Sequence, residues 1–185
     1  EKLALGYIYT TTNGEGENKV IQLTRYSDGS LGDEKSYSTG AKGGSDHAAP
    51  AHGDYDAQGA TKIVGNCLLT CNTGANSIAV FHVDKKSGSL HFVANTPSHG
   101  TRPVTIGWMP VAGSENEFWI LVGNQWNTPT VIYDGDKLQR LPSDDFFKQD
   151  LTKPDPTDKE RTVQLFKLNS NTGTLTYQSL VGEYN

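Results

Sequence analysis

Residues 76–90, NSIAVFHVDKKSGSL, decide the fold because their outline occurs three times along the chain. NKVIQLTRYSDGSL at 18–31 and RTVQLFKLNSNTGTL at 161–175 repeat it: an apolar run alternating with polar residues, a glycine-containing turn, and a second run. Alternation with period two marks strands buried on one face, and SDGS, KSGS and NTGT are turns that close hairpins. A further strand pattern precedes each hairpin: GYIYTTTN from Gly6, NCLLTCNTG from Asn66 and FWILVGNQ from Phe118. The repeat is metric as well as chemical, since Leu31 and Leu90 stand 59 positions apart, as do Asn13 and Asn72. Leu90 and Leu175 stand 85 apart, and the 26 surplus residues fall in the polar, proline-bearing stretch from Asp134 to Glu160. That stretch reads as a surface excursion with one short helix from Ser143.

Two more strand candidates, GATKIVG from Gly59 and RPVTIGWM from Arg102, bring each unit to four strands. Four antiparallel strands per repeat is the blade of a β-propeller, so the expected class is all-β. The units fall at residues 1–40, 41–100 and 101–185, and the first lacks a leading strand before Leu3. Three units do not close a ring, because the smallest common propellers have four blades. Unclosed blades would leave strand edges and apolar faces in water. A second polypeptide segment, from a processed longer chain or another copy, is therefore expected as a partner.

The 185 residues carry a formal charge of −5 and no lysine or arginine cluster, which removes the electrostatic footprint that nucleic acid or an anionic membrane would need. No apolar run approaches the roughly 20 residues of a spanning helix. Glu1 stands where a methionine would, directly ahead of an apolar stretch, so a leader or preceding segment is expected to have been removed and the protein to be secreted. Cys67 and Cys71 lie in CLLTC. On a strand, residues four apart stand about 13 Å from each other, too far for a disulfide, and the spacing is not that of a zinc or redox pair. Buried free thiols are the expectation.

The stretches GYIYTTTNG, STGAKGG and DAQGATKIVGNCLLTCNTGANSIAVFHVDKKSGSLHFVANTPSHGTRPVTI together resemble the lactonase family of seven-bladed β-propellers, which includes proteins like 6-phosphogluconolactonase and the fungal 3-carboxy-cis,cis-muconate lactonizing enzymes. The similarity is strongest over Gly59 to Ile106 and extends over Gly6 to Gly44; NTGANSIAVFHVD followed by GTRPV is its most specific part. Where the family usually has a serine ahead of a Gln-Gly pair, this chain has Ala57 before Gln58. The resemblance implies a ring about twice this length, of which the chain is the first three blades. It implies a lactone hydrolase or a lactonizing isomerase acting on a small carboxylated molecule, without a cofactor. The rival expectation is a secreted propeller that binds a glycan, a small molecule or a protein without catalysis.

Two loops enter the leading strands of the second and third units: GGSDHAAPAHGDYDAQGA from Gly43, and HGTR from His99. In a propeller both open on the same mouth. Lactone chemistry needs a proton carrier, a donor to the carbonyl oxygen and a cation for the substrate's anionic group. His52 is the expected acid/base with Asp54 or Asp56 orienting it, and His99 is a second acid/base candidate. Gln58 is placed as the hydrogen-bond donor to substrate oxygen, while Arg102, together with Asp56, is placed in substrate binding. Each has a plainer reading as a turn residue bonded to its own backbone or facing water. Asp46 and His47 are ligand types with the other loop carboxylates and histidine, but their spacing fits neither a calcium loop nor a zinc motif, so no metal is expected. His82, His91 and the tryptophans Trp108, Trp119 and Trp126 read as packing residues. Neither a phosphate-cradling glycine loop nor a Gly-x-Ser-x-Gly nucleophile is present.

Overall fold

The computed structural model describes residues 2–14, 16–44, 59–100, 102–124, 131–134, 137–140 and 161–184. Within them the first sheet holds β1 (Ala4–Thr11), β2 (Glu17–Tyr26) and β3 (Leu31–Lys42), antiparallel in chain order. The second holds β4 (Thr61–Val64), β5 (Cys67–Asn72), β6 (Ser77–Val83) and β7 (Leu90–Pro97), again in chain order. The third is built from β8 (Pro103–Pro110), β9 (Glu117–Asn124), β12 (Arg161–Asn169) and β13 (Thr174–Tyr184), with β9 pairing β12 across the excursion. β10 (Val131–Asp134) and β11 (Lys137–Arg140) form a hairpin of their own across the start of that excursion, which the sequence reading did not anticipate. The short helix expected from Ser143 lies outside the described residues. Three antiparallel sheets of three, four and four strands are the blades of a partial β-propeller.

Burial alternates with period two along β2, β9 and β12. The second sheet is sandwiched, so all six residues of β5 are buried, whereas β9 and β12 are closed on one face only. Cys67, Leu69 and Cys71 of β5, with Ile78 and Val80 of β6, meet Ile106, Ile120, Val122, Phe166 and Leu168 of the third sheet. The residues between them in the sequence, Leu68, Ala79 and Phe81, turn the other way, onto Val20 and the rings of Tyr9 and Tyr37 in the first sheet. Each fully buried aliphatic or phenyl side chain contributes about 1.5–3 kcal/mol of transfer free energy, so these two seams hold the blades together. Both cysteines are free and buried, as the sequence predicts. Burial pushes the Cys67 thiol up to about 11 and the Cys71 thiol higher still, which keeps both protonated and unreactive near neutral pH.

Polar side chains stitch the first seam where it reaches one end of the strands. The amide nitrogen of Asn18 donates to the Cys71 carbonyl and to Asn72 Oδ1, each at 3.0 Å. The Asn72 amide donates in turn to Asn95 Oδ1 at 2.9 Å, and the Asn95 amide to the Thr39 carbonyl at 2.8 Å. The second seam repeats the arrangement with Asn124, whose amide donates to the Ser98 carbonyl and to Thr162 Oγ1, each at 3.2 Å. Its Oδ1 has no partner among the described residues.

Because the sheets are antiparallel, alternate connections emerge at opposite ends. Those following β2, β4, β6, β8 and β12 are tight turns on one edge. Those following β1, β3, β5, β7 and β9 leave the other edge, and they include every long connection in the chain.

Candidate functional site: the loop-bearing edge

On this edge the chain folds so that successive loops touch. β5 runs into a 3-10 turn, Thr73–Ala75, ended by Asn76 in the left-handed conformation (φ 51°, ψ 44°), which asparagine tolerates better than other side-chain-bearing residues. Backbone packs on backbone beside it: a Cβ on Gly74 would collide with the Gly43 carbonyl oxygen, and one on Gly43 with Gly14. Asn13 Oδ1 accepts the Gly44 N–H at 2.9 Å, closing the chain leaving β3 onto the end of β1.

The turn from β7 to β8 lies against the 3-10 turn. The Ser98 N–H donates to the Asn76 carbonyl at 2.9 Å and the Arg102 N–H to Asn76 Oδ1 at 2.8 Å. Thr73 Oγ1, buried, donates to the Pro103 carbonyl at 2.8 Å. Both candidate side chains of the turn sit on left-handed backbone, His99 at φ 55° and Arg102 at φ 56°. For a residue that is neither glycine nor asparagine this costs about 1–2 kcal/mol.

From that shared turn the two side chains go to different elements. His99 stacks flat on Tyr177 of β13, ring centroids 3.8 Å apart and planes 9° from parallel, with Phe166 edge-on at 5.9 Å. The Gln164 amide donates to the His99 carbonyl at 2.8 Å, and the Tyr177 hydroxyl donates to Gln164 Oε1 at 3.1 Å, so the whole group is tied to the outer strands of the third sheet. Arg102, half-buried, sends Nη2 to the Gly44 carbonyl at 3.3 Å, where the GGSDH loop departs. No carboxylate pairs with Arg102 among the described residues. The structure thus does not bring His99 and Arg102 together.

The remaining sequence candidates, His52, Asp54, Asp56 and Gln58, with Asp46 and His47, lie outside the described residues, as does Trp126. The two ends of their loop are placed: Gly44 under Arg102, and Gly59, whose carbonyl accepts the Ile106 N–H at 3.1 Å and so bridges the leading strands β4 and β8. The sequence reading missed Lys62 beside this bridge. Its Nζ stands 3.5 Å, and Thr105 Oγ1 3.3 Å, from where a Cβ on Gly59 would be, which puts a half-buried ammonium where the two leading strands meet. A lone lysine in an alternating strand gives no signal of that placement.

Other polar groups are absorbed by the fold. His82 Nδ1 lies 3.8 Å from Cys67 Sγ, which itself contacts the Ser170 carbonyl at 3.4 Å, and the raised thiol makes this a packing contact and not a nucleophile with its base. Trp108 packs edge-to-face on Phe118 at 5.7 Å, and Lys167 lies over Trp119 at 5.1 Å. Among the described residues no three histidine, cysteine or acidic side chains gather as a metal site would require, and no helix is long and apolar enough to cross a membrane.

The chain is similar to known proteins in sequence and in structure. A 6-phosphogluconolactonase of Formosa agariphila is 33% identical over 86 residues, 43% of this chain and 23% of that protein. A crystal structure of a functionally unknown protein from Desulfotomaculum acetoxidans superposes over 96% of this chain and 41% of its own, with a TM-score of 0.49 and 16% identity. The chain therefore spans less than a quarter of the curated relative. Over residues 5–146 the sequence matches the family described as lactonase, 7-bladed beta-propeller, and the chain belongs to that family.

Proposed function

We propose that this chain supplies three blades of a lactonase, closed into a ring by a further polypeptide segment, and that its loop-bearing edge holds the anionic group of a small lactone or of the opened acid. The observation that carries the reading is Arg102. It is half-buried, held at its main-chain N–H by the Asn76 side chain and at its guanidinium by the Gly44 carbonyl, and matched with no carboxylate among the described residues, so further N–H donors stand ready for a ligand carboxylate or phosphate. Lys62 adds a second, half-buried cation where the leading strands β4 and β8 meet. In hydrolysis, water adds to the lactone carbonyl, the ring acyl–oxygen bond breaks, and a proton reaches the departing alkoxide. His52 is proposed as the carrier of that proton, Asp54 or Asp56 as its orienting partner, and Gln58 as the donor to the carbonyl oxygen. The family relationship and the 6-phosphogluconolactonase relative support lactone opening over lactone formation.

Mass analysis of the native particle, intact and denatured, comes first: two different polypeptides, or one of about twice this mass, support the completed ring. Lactone opening is then followed by pH-stat on 6-phosphogluconolactone and on a carboxylated muconolactone. Arg102→Ala is expected to raise KM about tenfold or more with a smaller effect on kcat, the cost of one charge-assisted pair. An unchanged KM would remove Arg102 from the site, and anion binding without turnover would favour the non-catalytic binder.

A further inference from the structure

Arg102 sits in a conformation that neither it nor its neighbour favours. Its φ is 56°, and it precedes Pro103, whose ring crowds the preceding residue out of helical backbone toward extended conformations. What holds it there is visible on one element. Asn76 accepts the Ser98 N–H on its carbonyl and the Arg102 N–H on Oδ1, and Thr73 of the same 3-10 turn donates to the Pro103 carbonyl. The first two of these fix the ends of the turn, and the Oδ1 bond reaches the main chain of Arg102 itself.

We propose that Asn76 is a positioning residue for Arg102: its side-chain oxygen fixes the Arg102 main chain in the left-handed region, and with it the direction in which the guanidinium projects. The inference rests on the reading of Arg102 as the grip for an anionic ligand. Residue type follows from the double task. Position 76 must itself adopt φ 51° and must present an acceptor to the Arg102 N–H; glycine meets the first condition only and alanine neither. In the first unit another asparagine, Asn13, also left-handed at φ 45°, uses its side-chain oxygen in the same way and accepts the Gly44 N–H. The asparagines of this edge thus hold both the chain that carries Arg102 and the residue whose carbonyl Arg102 touches.

The test uses the native particle and inorganic phosphate as the probe, titrated calorimetrically against the parent protein, Asn76→Gly, Arg102→Ala and the double variant, with Tm recorded for each. Asn76→Gly keeps the left-handed backbone and loses only the acceptor. It is expected to melt close to the parent while binding phosphate about tenfold more weakly, the loss of one hydrogen bond. The double variant is expected to bind no more weakly than Arg102→Ala alone, because the Asn76 effect passes through Arg102. Parent-like phosphate affinity in Asn76→Gly, with affinity lost in Arg102→Ala, overturns the positioning role and leaves Arg102 as the grip. Parent-like affinity in Arg102→Ala, or no binding by the parent, sinks the reading of Arg102 and this inference with it.

Discussion

The two edges of these blades solve the same geometric problem with different residues. At the tight-turn edge every reversal needs left-handed backbone, and glycine supplies it each time: Gly29, Gly65, Gly88, Gly113 and Gly173. At the loop-bearing edge, Gly59 (φ 79°) apart, the left-handed positions are taken by Asn13, Asn76, His99 and Arg102. The glycines there, Gly43, Gly44 and Gly74, have ordinary φ and are required for another reason, since loops cross with no space for a Cβ. Glycine at the first edge is a choice of conformation, joined at Gly65 and Gly88 by want of space for a Cβ; at the second, Gly59 apart, it is a choice of volume. Side chains on left-handed backbone gather on the edge that carries the candidate site, four there against Asp33 (φ 49°) beside a tight turn, which is the distribution expected when strain is retained for what a side chain does.

Substituting alanine into the two kinds of glycine sharpens that contrast most. Gly74→Ala drives a methyl into the Gly43 carbonyl, rigid backbone on both sides, and is expected to cost about 3 kcal/mol or to prevent folding. Gly113→Ala has open space around it and only its φ of 79° to contend with, so about 1 kcal/mol is expected. Urea denaturation of both variants checks this, and equal losses would mean that the loop crossings are looser than they stand.

Much of this was legible in the sequence, because hairpins write themselves locally. The alternation in NSIAVFHV and the glycine turn in KKSGSL are properties of adjacent residues, and the three sheets follow from them. The β10–β11 hairpin was not legible: VIYDGDKLQR offers four-residue strands within a polar stretch, too short for alternation to stand out. At the site, the sequence could nominate His99 and Arg102 as neighbours on one turn, but their divergence depends on two left-handed residues and on Tyr177, which is 78 positions from His99. Contacts across a seam between repeats leave no local pattern, and the same reason hides Lys62 and Asn76.

Arg102→Gly is the next way to break the comparison. If left-handed strain at this turn is kept for the guanidinium alone, glycine relieves it, and the variant is expected to be as stable as the parent or about 1 kcal/mol more so, while losing anion binding. Thermal melts with and without phosphate read both effects. A clear loss of stability would instead make the contact with the Gly44 carbonyl structural, and the loop-bearing edge would then resemble its opposite.

The smallest expected effect separates the edges by charge. Tight turns are capped in part by carboxylates: Asp28 Oδ1 accepts the Ser30 N–H at 2.9 Å and Asp84 Oδ1 the Lys86 N–H at 2.8 Å. These bonds hold both carboxyls below their usual range; for Asp28 the Ser30 hydroxyl contributes most, and for Asp84 the Lys86 amide. The loop-bearing edge is capped by the neutral amides of Asn13 and Asn76. A carboxyl whose folded pKa is lowered stabilises above its unfolded value of 3.8, and that contribution is lost as pH falls through the folded value. Acid should therefore loosen the tight-turn edge first. Hydrogen exchange below pH 4 is expected to accelerate at the Lys86 amide, relative to the Arg102 amide, by more than the intrinsic rates account for. Asp84→Asn keeps the acceptor and removes the proton, so it should abolish that excess while leaving the neutral-pH Tm nearly unchanged. Equal acid sensitivity at the two amides would show that one edge does not open without the other, and that the blades melt as a unit.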